Sequence, residues 1–563
     1  MDRRTFLRTG IGGVGALFVA SCTKDNKQKA LTPGETTVGG TLAPAPRPVV
    51  RQGNTGGDVG LPNPFTALSG PGSGIVDPIY DTLLQGPFQF GAPLIPWLAS
   101  RFDTSADGLT YTFDLRDNVR WHDGQPFGPD DVVFTFEYFA AQRSKLPPNL
   151  IGSPSGVAQV RATGGRTVEI RLQQADVAFA KNSLTLFHMV PKHVWSSIDD
   201  PTTVQDQNLL IGTGPYRLDT YTKGEGAYAY NANEDFFLGK PFVRRIEYRP
   251  VGDEVTALQA GDIDVAQPGG PGGARPEVLA PFRNDPAFEV SELTTGGFNA
   301  GLHWNLTRGG ALADVRFRQA CAKAINRNDL VQRLLGGNGQ PGNPGFLPPS
   351  HPYYAPVEQY AFDPAAANRM LDDAGYARTD PNGVRNDPNG RPLRFGLLTV
   401  NPPLGEVLVG ALRAIGVEAT VQPAGQLPQA IQAVTQGNFD IAVIIYGGAL
   451  GDPDYVRGVF SSKLAPNQRQ FFSARGYADP ELDDLLDKQR TIFNDADRKR
   501  QFVRIQEIVA RDIPLMHLYY PTQYRVSRKT VFDQWPGKAD PVTDKQALVT
   551  GQKTQELKIR PTK

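Results

Sequence analysis

The chain has 563 residues, more than one hydrophobic core usually supports, so two or three domains are expected. Lysine plus arginine and aspartate plus glutamate each number 58, and this neutral balance gives no indication of a nucleic-acid partner. The two cysteines exclude a disulfide framework, and the six histidines show no zinc-binding spacing. We therefore expect a globular protein with no metal site and no cofactor.

The first 22 residues, MDRRTFLRTGIGGVGALFVASC, carry the pattern of an export signal. Arg3-Arg4 resembles the twin-arginine export motif, and VASC, which ends at Cys22, resembles a lipobox, in which the cysteine thiol is diacylated. An ordinary signal that leaves Cys22 unmodified is the alternative. Residues 23–37 are polar with no apolar period, so they are expected to form a disordered tether between the lipid and the globular part.

Two matches to the dinucleotide-binding pattern GxGxxG lack the context that the pattern needs. The match at 10–15 lies in the export signal, and the match at 337–342 follows a helical segment and precedes several prolines. A dinucleotide-binding loop must instead follow a strand and open a helix. Both are therefore interpreted as chance matches in a glycine-rich chain.

Residues 108–143 predict a hairpin followed by a helix. Apolar and polar side chains alternate from Tyr111 to Leu115, and Asp123-Gly124 is a turn pair, so 108–124 predicts hairpin strands. Pro129 and the two aspartates after it favour the start of a helix over 128–143. The inward face of this helix is expected to consist of Val133, Phe134, Tyr138 and Phe139.

The C-terminal half alternates helix and strand patterns. Helices are predicted at 313–335, 363–375 and 406–416, and strands at 417–424 and 439–447. This alternation is typical of an α/β domain with a mainly parallel sheet. Cys321, on the inward face of the first of these helices, is expected to be a small buried core residue rather than a reactive thiol.

The segment IAVIIYGGALGDPDYV (441–456) predicts the wall of a pocket. Its five leading apolar residues predict a buried central strand, and the carboxyl ends of strands are where α/β sheets bind ligands. Tyr446 would supply an aromatic wall, and Gly447 and Gly448 would let the backbone approach a ligand. Asp452 is a further candidate, although we favour the interpretation that Asp452-Pro453-Asp454 forms the turn before the next helix.

Several blocks of sequence occur in a fixed order over nearly the whole mature chain. They are GGTL at 39–42, the segments 107–137, 211–218, 305–331 and 360–376, and GDPDY at 451–455. Their order resembles family 5 of the bacterial extracellular solute-binding proteins, which includes the dipeptide- and oligopeptide-binding proteins of ABC importers. The blocks at 107–137 and 211–218 are highly specific for this family.

The resemblance implies an α/β fold, a two-lobed, three-domain clamp of the periplasmic-binding-protein type. After the signal at 1–22 and the tether at 23–37, lobe one would contain a discontinuous domain with a second domain inserted in it. Lobe two would cover 297–520, and the chain crossings near 297 and 520 would serve as a hinge. The discontinuous domain would comprise 38–66, 212–296 and 521–563, and the inserted domain 67–211.

The function implied by the resemblance is solute capture without chemistry on the ligand. A monomer, anchored to the membrane through Cys22, would close its lobes around a peptide-sized solute and present it to an ABC permease. Of the candidate wall residues, His303 and Trp304 could equally belong to the core. The candidates are Phe298, Asn299, His303, Trp304, Tyr446, Gly447, Gly448, Ala449 and Asp452.

The sequence departs from its peptide-binding relatives at the expected ammonium anchor. In those relatives an aromatic residue, usually tryptophan, is followed three residues later by an aspartate that holds the peptide ammonium group. Here the aromatic residue is Tyr446 and the later position is Ala449. We therefore expect weak binding of free di- and tripeptides, and a neutral or blocked ligand such as an oligosaccharide, a modified peptide or a metal chelate.

The sequence leaves two other classes of function open. An exported hydrolase could use His122 as a base oriented by Asp123, but adjacent residues of a strand point to opposite faces and Asp-Gly favours a turn. A chaperone or an adhesin on the same scaffold is compatible with the sequence.

Overall fold

The computed structural model describes residues 49–66, 71–86, 93–146, 154, 156–292, 297–378, 383–425, 427–447, 452–530, 532–533 and 560–561. The predicted signal and tether, including Cys22, lie outside the described residues, as do Gly448 and Ala449.

The strands are short, and most of them belong to one of three sheets. In chain order they are β1 Val49–Asn54, β2 Leu84–Gln85, β3 Ile95–Pro96, β4 Ala99–Thr104, β5 Thr110–Leu115, β6 Val157–Gly164, β7 Thr167–Leu172, β8 Tyr216–Thr222, β9 Ala227–Ala232, β10 Arg245–Pro250, β11 Val265–Ala266, β12 Phe288–Glu292, β13 Phe298–Trp304, β14 Gly339–Pro341, β15 Arg394–Thr399, β16 Glu418–Pro423, β17 Ile441–Gly447, β18 Leu515–Pro521, β19 Tyr524–Arg528, β20 Phe532–Asp533 and β21 Arg560–Pro561.

The helices concentrate in the C-terminal half. They are α1 Pro71–Val76, α2 Pro129–Gln142, α3 Phe179–Asn182, α4 Lys192–Trp195, α5 Glu254–Ala260, α6 Pro276–Arg283, α7 Val315–Ala324, α8 Arg327–Leu335, α9 Pro364–Asp373, α10 Pro402–Arg413, α11 Leu427–Gln436, α12 Tyr455–Phe460, α13 Pro480–Lys488 and α14 Asp495–Asp512.

Three sheets organise the chain. A seven-stranded sheet has the order β12-β19-β11-β1-β10-β9-β8, and a four-stranded sheet has the order β4-β5-β7-β6. A six-stranded sheet has the order β14-β18-β13-β17-β15-β16. The strand order shows that the seven-stranded sheet is built from distant parts of the chain, because β1 and β19 both join strands of the middle region.

The hydrophobic cores divide the chain into two lobes. One core joins the four-stranded sheet to one face of the seven-stranded sheet, and a smaller core covers the opposite face of the seven-stranded sheet. Two further cores cover the two faces of the six-stranded sheet, and all their buried members lie between residues 300 and 519. Lobe one therefore contains the seven- and four-stranded sheets, and lobe two contains the six-stranded sheet.

The chain passes between the lobes at two adjacent places. β12 precedes the first crossing and β13 follows it, whereas β18 precedes the second crossing and β19 follows it. β12 pairs with β19 in lobe one, and β13 pairs with β18 in lobe two, both antiparallel. The two crossings therefore lie side by side, which is the arrangement that a hinge needs.

The prediction of a mainly parallel sheet in the C-terminal half is wrong. β15 runs parallel to β16 and to β17, but β13 runs antiparallel to both β17 and β18, and β14 runs antiparallel to β18. The reason is that β13 enters lobe two and β18 leaves it at the same edge, so the two strands must run in opposite directions.

The single helix predicted over 313–335 is two helices, α7 and α8. Ile325 has an extended backbone, and the side chain of Asn326 accepts a hydrogen bond from the Asp329 amide at 3.0 Å. Asparagine is a strong helix N-cap, so it starts a new helix at this point. Cys321 is fully buried in the core, as predicted, and burial raises the pKa of its thiol.

The helix predicted over 128–143 is confirmed as α2, but its inward face is displaced. Tyr138 and Phe139 are buried as predicted, whereas Val132 and Phe136 are buried in place of Val133 and Phe134. Asp131 also turns inward and accepts hydrogen bonds from the Gly128 amide at 2.9 Å and from the Lys192 amide at 3.0 Å. The buried face therefore starts at Asp131 and Val132, and helical spacing continues it at Thr135 and Phe136.

Candidate ligand-binding site

The strand predicted over 439–447 is β17, a buried strand inside the six-stranded sheet. It pairs with β13 so that Gly447 lies opposite Phe298 and Tyr446 lies opposite Asn299. The carboxyl end of β17 therefore meets the beginning of β13, next to the first crossing. This juxtaposition brings Phe298, Asn299, Tyr446 and Gly447 together at the edge of lobe two that faces lobe one.

Strand alternation divides the candidate residues between two faces of the sheet. Asn299, His303 and Tyr446 share the face covered by α12–α14, because residues paired across strands point to the same side. Trp304 points to the opposite face, where its ring packs against Phe317 at 6.1 Å in the core. His303 and Trp304 are both buried, so both belong to the interior of lobe two in this structure.

Tyr446 lies in a buried aromatic cluster. Its ring stacks on Phe472 with centroids 3.7 Å apart and contacts His303 at 5.5 Å. Gly301, on β13, makes room for this arrangement, since a Cβ at that position would lie 2.5 Å from the Tyr446 hydroxyl and 2.8 Å from His303 Nε2. A glycine is therefore required where the tyrosine crosses over the neighbouring strand.

A hydrogen-bond chain fixes the orientation of Tyr446. The Tyr520 hydroxyl donates to the Phe346 carbonyl at 3.0 Å, so it must accept from His517 Nδ1, which lies 3.1 Å away. His517 Nε2 then carries no proton and accepts from the Tyr446 hydroxyl at 3.2 Å. The Tyr446 hydroxyl is thus hydrogen-bonded to a side chain of lobe two.

The two histidines of this cluster are held neutral. Burial lowers the pKa of His303 to about 3. Burial, and to a smaller extent the neighbouring His303, lowers the pKa of His517 to about 3. The aromatic end of the predicted wall therefore carries no charge at neutral pH.

Asn299, like His303 and Trp304, has a buried polar atom without a hydrogen-bond partner among the described residues. Its side chain is 1% exposed, and its Oδ1 has no hydrogen-bond partner among the described residues. Buried amide oxygens are nearly always hydrogen-bonded in folded proteins. Asn299 lies near the start of β13, beside the first crossing.

Asp452 is held in a buried ion pair rather than being open to a ligand. Arg498 binds both carboxylate oxygens of Asp452, with Nη1 donating to Oδ2 at 2.8 Å, and both side chains are nearly inaccessible. The Asp454 amide donates to Asp452 Oδ1 at 2.9 Å and closes the turn before α12. The turn interpretation of Asp452-Pro453-Asp454 is confirmed.

The Asp454 carboxylate is also occupied by hydrogen bonds from neighbouring side chains. Arg457 Nε donates to its Oδ1 at 3.0 Å, and Gln489 Nε2 donates to the same oxygen at 2.5 Å. Gln489 in turn accepts from Arg498 Nε at 3.0 Å. The two acids that follow β17 therefore belong to one structural network.

A contact that the sequence did not indicate joins the two lobes. Arg490, next to Gln489, binds the Asp176 carboxylate of lobe one at 2.5 Å, and its carbonyl accepts from the Val177 amide at 2.8 Å. The other Asp176 oxygen accepts from the Ala178 amide at 3.0 Å, so the carboxylate is fixed before it meets Arg490. We call Asp176 and Arg490 the interlobe clasp.

The proposed hydrolase pair is not formed. His122 Nδ1 accepts from the Gly212 amide at 3.3 Å, so its Nε2 carries the proton and donates to the Gly214 carbonyl at 3.0 Å. Asp123 instead binds His193 at 2.6 Å. His122 therefore fixes the backbone of the 211–218 block and is not oriented by Asp123.

Neither a metal cluster nor a membrane span was found where the chain is described. No group of three or more His, Cys, Asp or Glu side chains in the described ranges is placed to hold a metal ion. The described helices include none that is long and apolar enough to cross a bilayer.

A family model and a known relative place this chain among the same group of proteins. Residues 93–468 match the model of the bacterial extracellular solute-binding proteins, family 5 middle region. The oligopeptide-binding protein AppA of Bacillus subtilis is 24% identical over 547 residues, which are 90% of this chain and 92% of that protein.

Solved structures show the same architecture. The periplasmic oligopeptide-binding protein of an ABC transporter from Thermotoga maritima superposes with a TM-score of 0.78 at 23% identity, covering 91% of this chain and 99% of that one. NikZ from Campylobacter jejuni, in complex with Ni(L-His), gives a TM-score of 0.74 at 26% identity, covering 88% and 96%.

Two lobes, each built on its own sheet and joined by paired crossings, define an α/β binding clamp of the periplasmic-binding-protein type. The matched segment spans more than half of the chain, so the protein belongs to family 5 of the bacterial extracellular solute-binding proteins. It is the solute-binding component of an ABC-type importer, and as a member of an extracellular family it is exported.

Proposed function

We propose that the protein is a monomer that captures a peptide-sized solute between its lobes, delivers it to the permease and performs no chemistry on it. The observation that carries this proposal is the position of the β13 and β17 ends at the lobe edge, beside two adjacent crossings. Closure brings both lobes into contact with the solute, so the solute favours the closed form by its differential affinity.

The predicted domain boundaries agree with this mechanism. All strands of the four-stranded sheet come from the proposed inserted domain at 67–211, and all strands of the six-stranded sheet come from the proposed lobe two to within one residue. The interlobe clasp supports closure, because Asp176 belongs to the inserted domain and Arg490 to lobe two. We propose that this pair forms when the clamp closes.

The ligand wall is proposed to include Phe298, Asn299, Tyr446 and Gly447, with Gly448 and Ala449 continuing it. The two acids that follow β17 are not available for an ammonium group, since Asp452 and Asp454 are bound by Arg498, Gln489 and Arg457. This supports the expectation that free di- and tripeptides bind weakly. Burying an unpaired charge is costly, typically about 3–5 kcal/mol when one partner of a pair is absent.

Calorimetry against a panel of free and N-acetylated di- and tripeptides tests this ligand proposal. We expect the free peptides to bind no better than their acetylated forms. Submicromolar binding that disappears on acetylation of the amine would contradict it, because it would show that another acid holds the ammonium group.

The membrane attachment is proposed to occur through a diacylated Cys22. Fractionation of cells that produce the Cys22→Ala variant tests this attachment, with loss of the protein from the membrane fraction as the expected result. Retention in the membrane, with no lipid on either form, would refute the lipobox interpretation. Replacement of Arg3 and Arg4 by lysines should separately block export if the twin-arginine interpretation is right.

A further inference from the structure

A buried glutamine lies between the end of the candidate ligand wall and the interlobe clasp. Gln489 directly follows α13 and is 0% exposed. Its Nε2 donates to Asp454 Oδ1 at 2.5 Å and to the Leu486 carbonyl at 3.1 Å. Its Oε1 accepts from Arg498 Nε at 3.0 Å and from Arg498 Nη2 at 2.7 Å. A primary amide has two N–H donors and two acceptor lone pairs, so all of them are used and the side chain is held in one orientation.

One partner of this amide belongs to a segment that contacts the end of the ligand wall. Asp454 directly precedes Tyr455, whose hydroxyl donates to the Gly447 carbonyl at 2.6 Å. The Tyr455 ring also lies 5.9 Å from the ring of Phe472, on which Tyr446 stacks. The segment that holds Asp454 is therefore connected to the last two residues of β17, both of them candidates for the wall.

The backbone of Gln489 continues into the interlobe clasp. The next residue, Arg490, contacts lobe one twice, because its guanidinium binds Asp176 at 2.5 Å and its carbonyl accepts from the Val177 amide at 2.8 Å. A hydrogen bond weakens steeply as its angle departs from linearity. A shift of the Gln489 backbone would therefore weaken both contacts of Arg490 with lobe one.

The charges around Gln489 stay paired without its amide. Asp454 also accepts from Arg457 Nε at 3.0 Å, and Arg498 Nη1 donates to Asp452 at 2.8 Å. Removal of a member of either ion pair would leave a buried charge unpaired, whereas removal of the Gln489 amide leaves each charge with its partner. The amide thus joins two complete ion pairs, and its contribution is to hold them in one arrangement.

We propose that Gln489 is a positioning residue for closure, which transmits the position of the end of the wall to the interlobe clasp. A solute that holds Gly447 in place would also hold Tyr455 and Asp454. Through the Gln489 amide it would then hold the turn that presents Arg490 to lobe one. This inference rests on the proposed function and adds to it the connection between the bound solute and the clasp.

Hydrogen exchange of the Val177 amide in the full mature protein measures whether the clasp is formed. This amide donates to the Arg490 carbonyl across the lobes, so breaking the contact exposes it to exchange. Gln489→Met keeps the length of the side chain and removes its amide. We expect this variant to raise the exchange rate of Val177 on the order of tenfold, as for the loss of a well-formed hydrogen bond. An unchanged rate would overturn the inference.

The same measurement tests the connection from the wall. Tyr455→Phe removes the bond to the Gly447 carbonyl and should raise the exchange rate of Val177 by a smaller factor, about threefold. In the double variant Tyr455→Phe, Gln489→Met the two factors should not multiply, because both changes interrupt one connection. Factors that multiply would show that the two residues act independently and would overturn the inference.

Gln506 is the matched control for folding. It is a glutamine of lobe two with 1% exposure, and its Nε2 donates to the Tyr353 carbonyl at 2.7 Å and to the Phe502 carbonyl at 3.0 Å. Gln506→Met should lower the melting temperature about as much as Gln489→Met and leave the exchange of Val177 unchanged. An equal rise in exchange for both variants would mean a general loosening of lobe two and would contradict a positioning role.

Calorimetry with the solute that co-purifies with the wild type, released by unfolding, separates this inference from the proposed function. We expect Gln489→Met to bind this solute about tenfold more weakly, with no further loss when Asp176→Asn is added. Equal affinity of the wild type and Gln489→Met would overturn the inference and leave solute capture intact. Exchange of Val177 that is the same with and without bound solute would instead contradict closure around the solute. If no solute is released, the exchange rates of the free variants decide the inference.

Discussion

The two lobes each bury polar side chains near the crossings, and the two groups differ in charge and in hydrogen bonding. In lobe two, Tyr446, His517 and Tyr520 form a continuous hydrogen-bond chain. In lobe one, Arg525 is charged and its neighbours Gln52 and Ser527 retain unused hydrogen-bonding atoms. Lobe two thus has a neutral, hydrogen-bonded aromatic cluster beside the crossings, although Asn299 Oδ1 and His303 Nε2 there also lack a partner among the described residues.

The largest effect is expected from breaking the ion pair that holds the turn after β17. Asp452→Asn leaves the buried Arg498 without its charged partner, and such changes typically cost about 3–5 kcal/mol in the free energy of unfolding. Urea unfolding measures this loss. The control is Glu481→Gln, which breaks an exposed pair with Arg504 and should leave the midpoint nearly unchanged. Equal midpoints for the two variants would show that the turn is not held by this pair.

The neutral histidines of lobe two predict a dependence of stability on pH. The folded-state pKa values of His303 and His517 are lowered to about 3, below the unfolded value of about 6.5, so between these values only the unfolded state takes up the protons. Stability should therefore be fully present above pH 6.5 and fall as the pH is lowered towards 3. Each histidine contributes a slope of up to about 1.4 kcal/mol per pH unit.

His303→Phe isolates one of these contributions. The variant keeps an aromatic ring against Tyr446 but cannot take up a proton, so the slope of unfolding free energy between pH 6.5 and 4.5 should fall by about one proton. Denaturant melts at several pH values measure the slope. An unchanged slope would mean that His303 takes up its proton equally in the folded and unfolded states, and the aromatic cluster around Tyr446 would then not stay neutral.

A smaller effect is expected from Tyr446→Phe. The change leaves His517 Nε2 without its donor in a buried site, and the loss of one such hydrogen bond costs about 1–2 kcal/mol. Urea unfolding measures this loss. Unchanged stability would show that the hydrogen bond between Tyr446 and His517 does not hold the tyrosine in place.

The smallest effect is expected from the interlobe clasp. Asp176→Asn weakens the contact with Arg490, which should favour the open form and reduce solute affinity several-fold, the scale of about 1 kcal/mol. The set of solutes that bind should stay the same. Isothermal titration with the co-purified solute measures both. Arg101→Gln, which breaks an exposed pair with Asp114 inside lobe one, is the control and should leave affinity unchanged.

Local signals predicted much of the wall. The run of apolar residues before Tyr446 indicated a buried strand, and Asp452-Pro453-Asp454 indicated a turn, because both patterns act over a few residues. The direction of β13 relative to β18 could not be predicted in this way. It depends on two crossings more than 200 residues apart in the chain, and no short pattern records it.

The burial of polar side chains along β19 could not be predicted for a different reason. Gln523, Arg525 and Ser527 alternate with Tyr524 and Val526, which is the pattern of a strand with one face in water. The structure covers that face, so the burial of Arg525 results from tertiary packing alone. The burial of Gln52 could not be predicted either, since this residue pairs with Val265, which is distant in sequence.

Solution scattering with and without solute tests the central claim most directly. The protein is stripped of bound solute by reversible unfolding, refolded, and measured before and after addition of the released solute at saturation. Closure predicts a smaller radius of gyration in the bound state, and the Asp176→Asn variant should need more solute to reach it. An unchanged profile at saturation would contradict capture between two closing lobes.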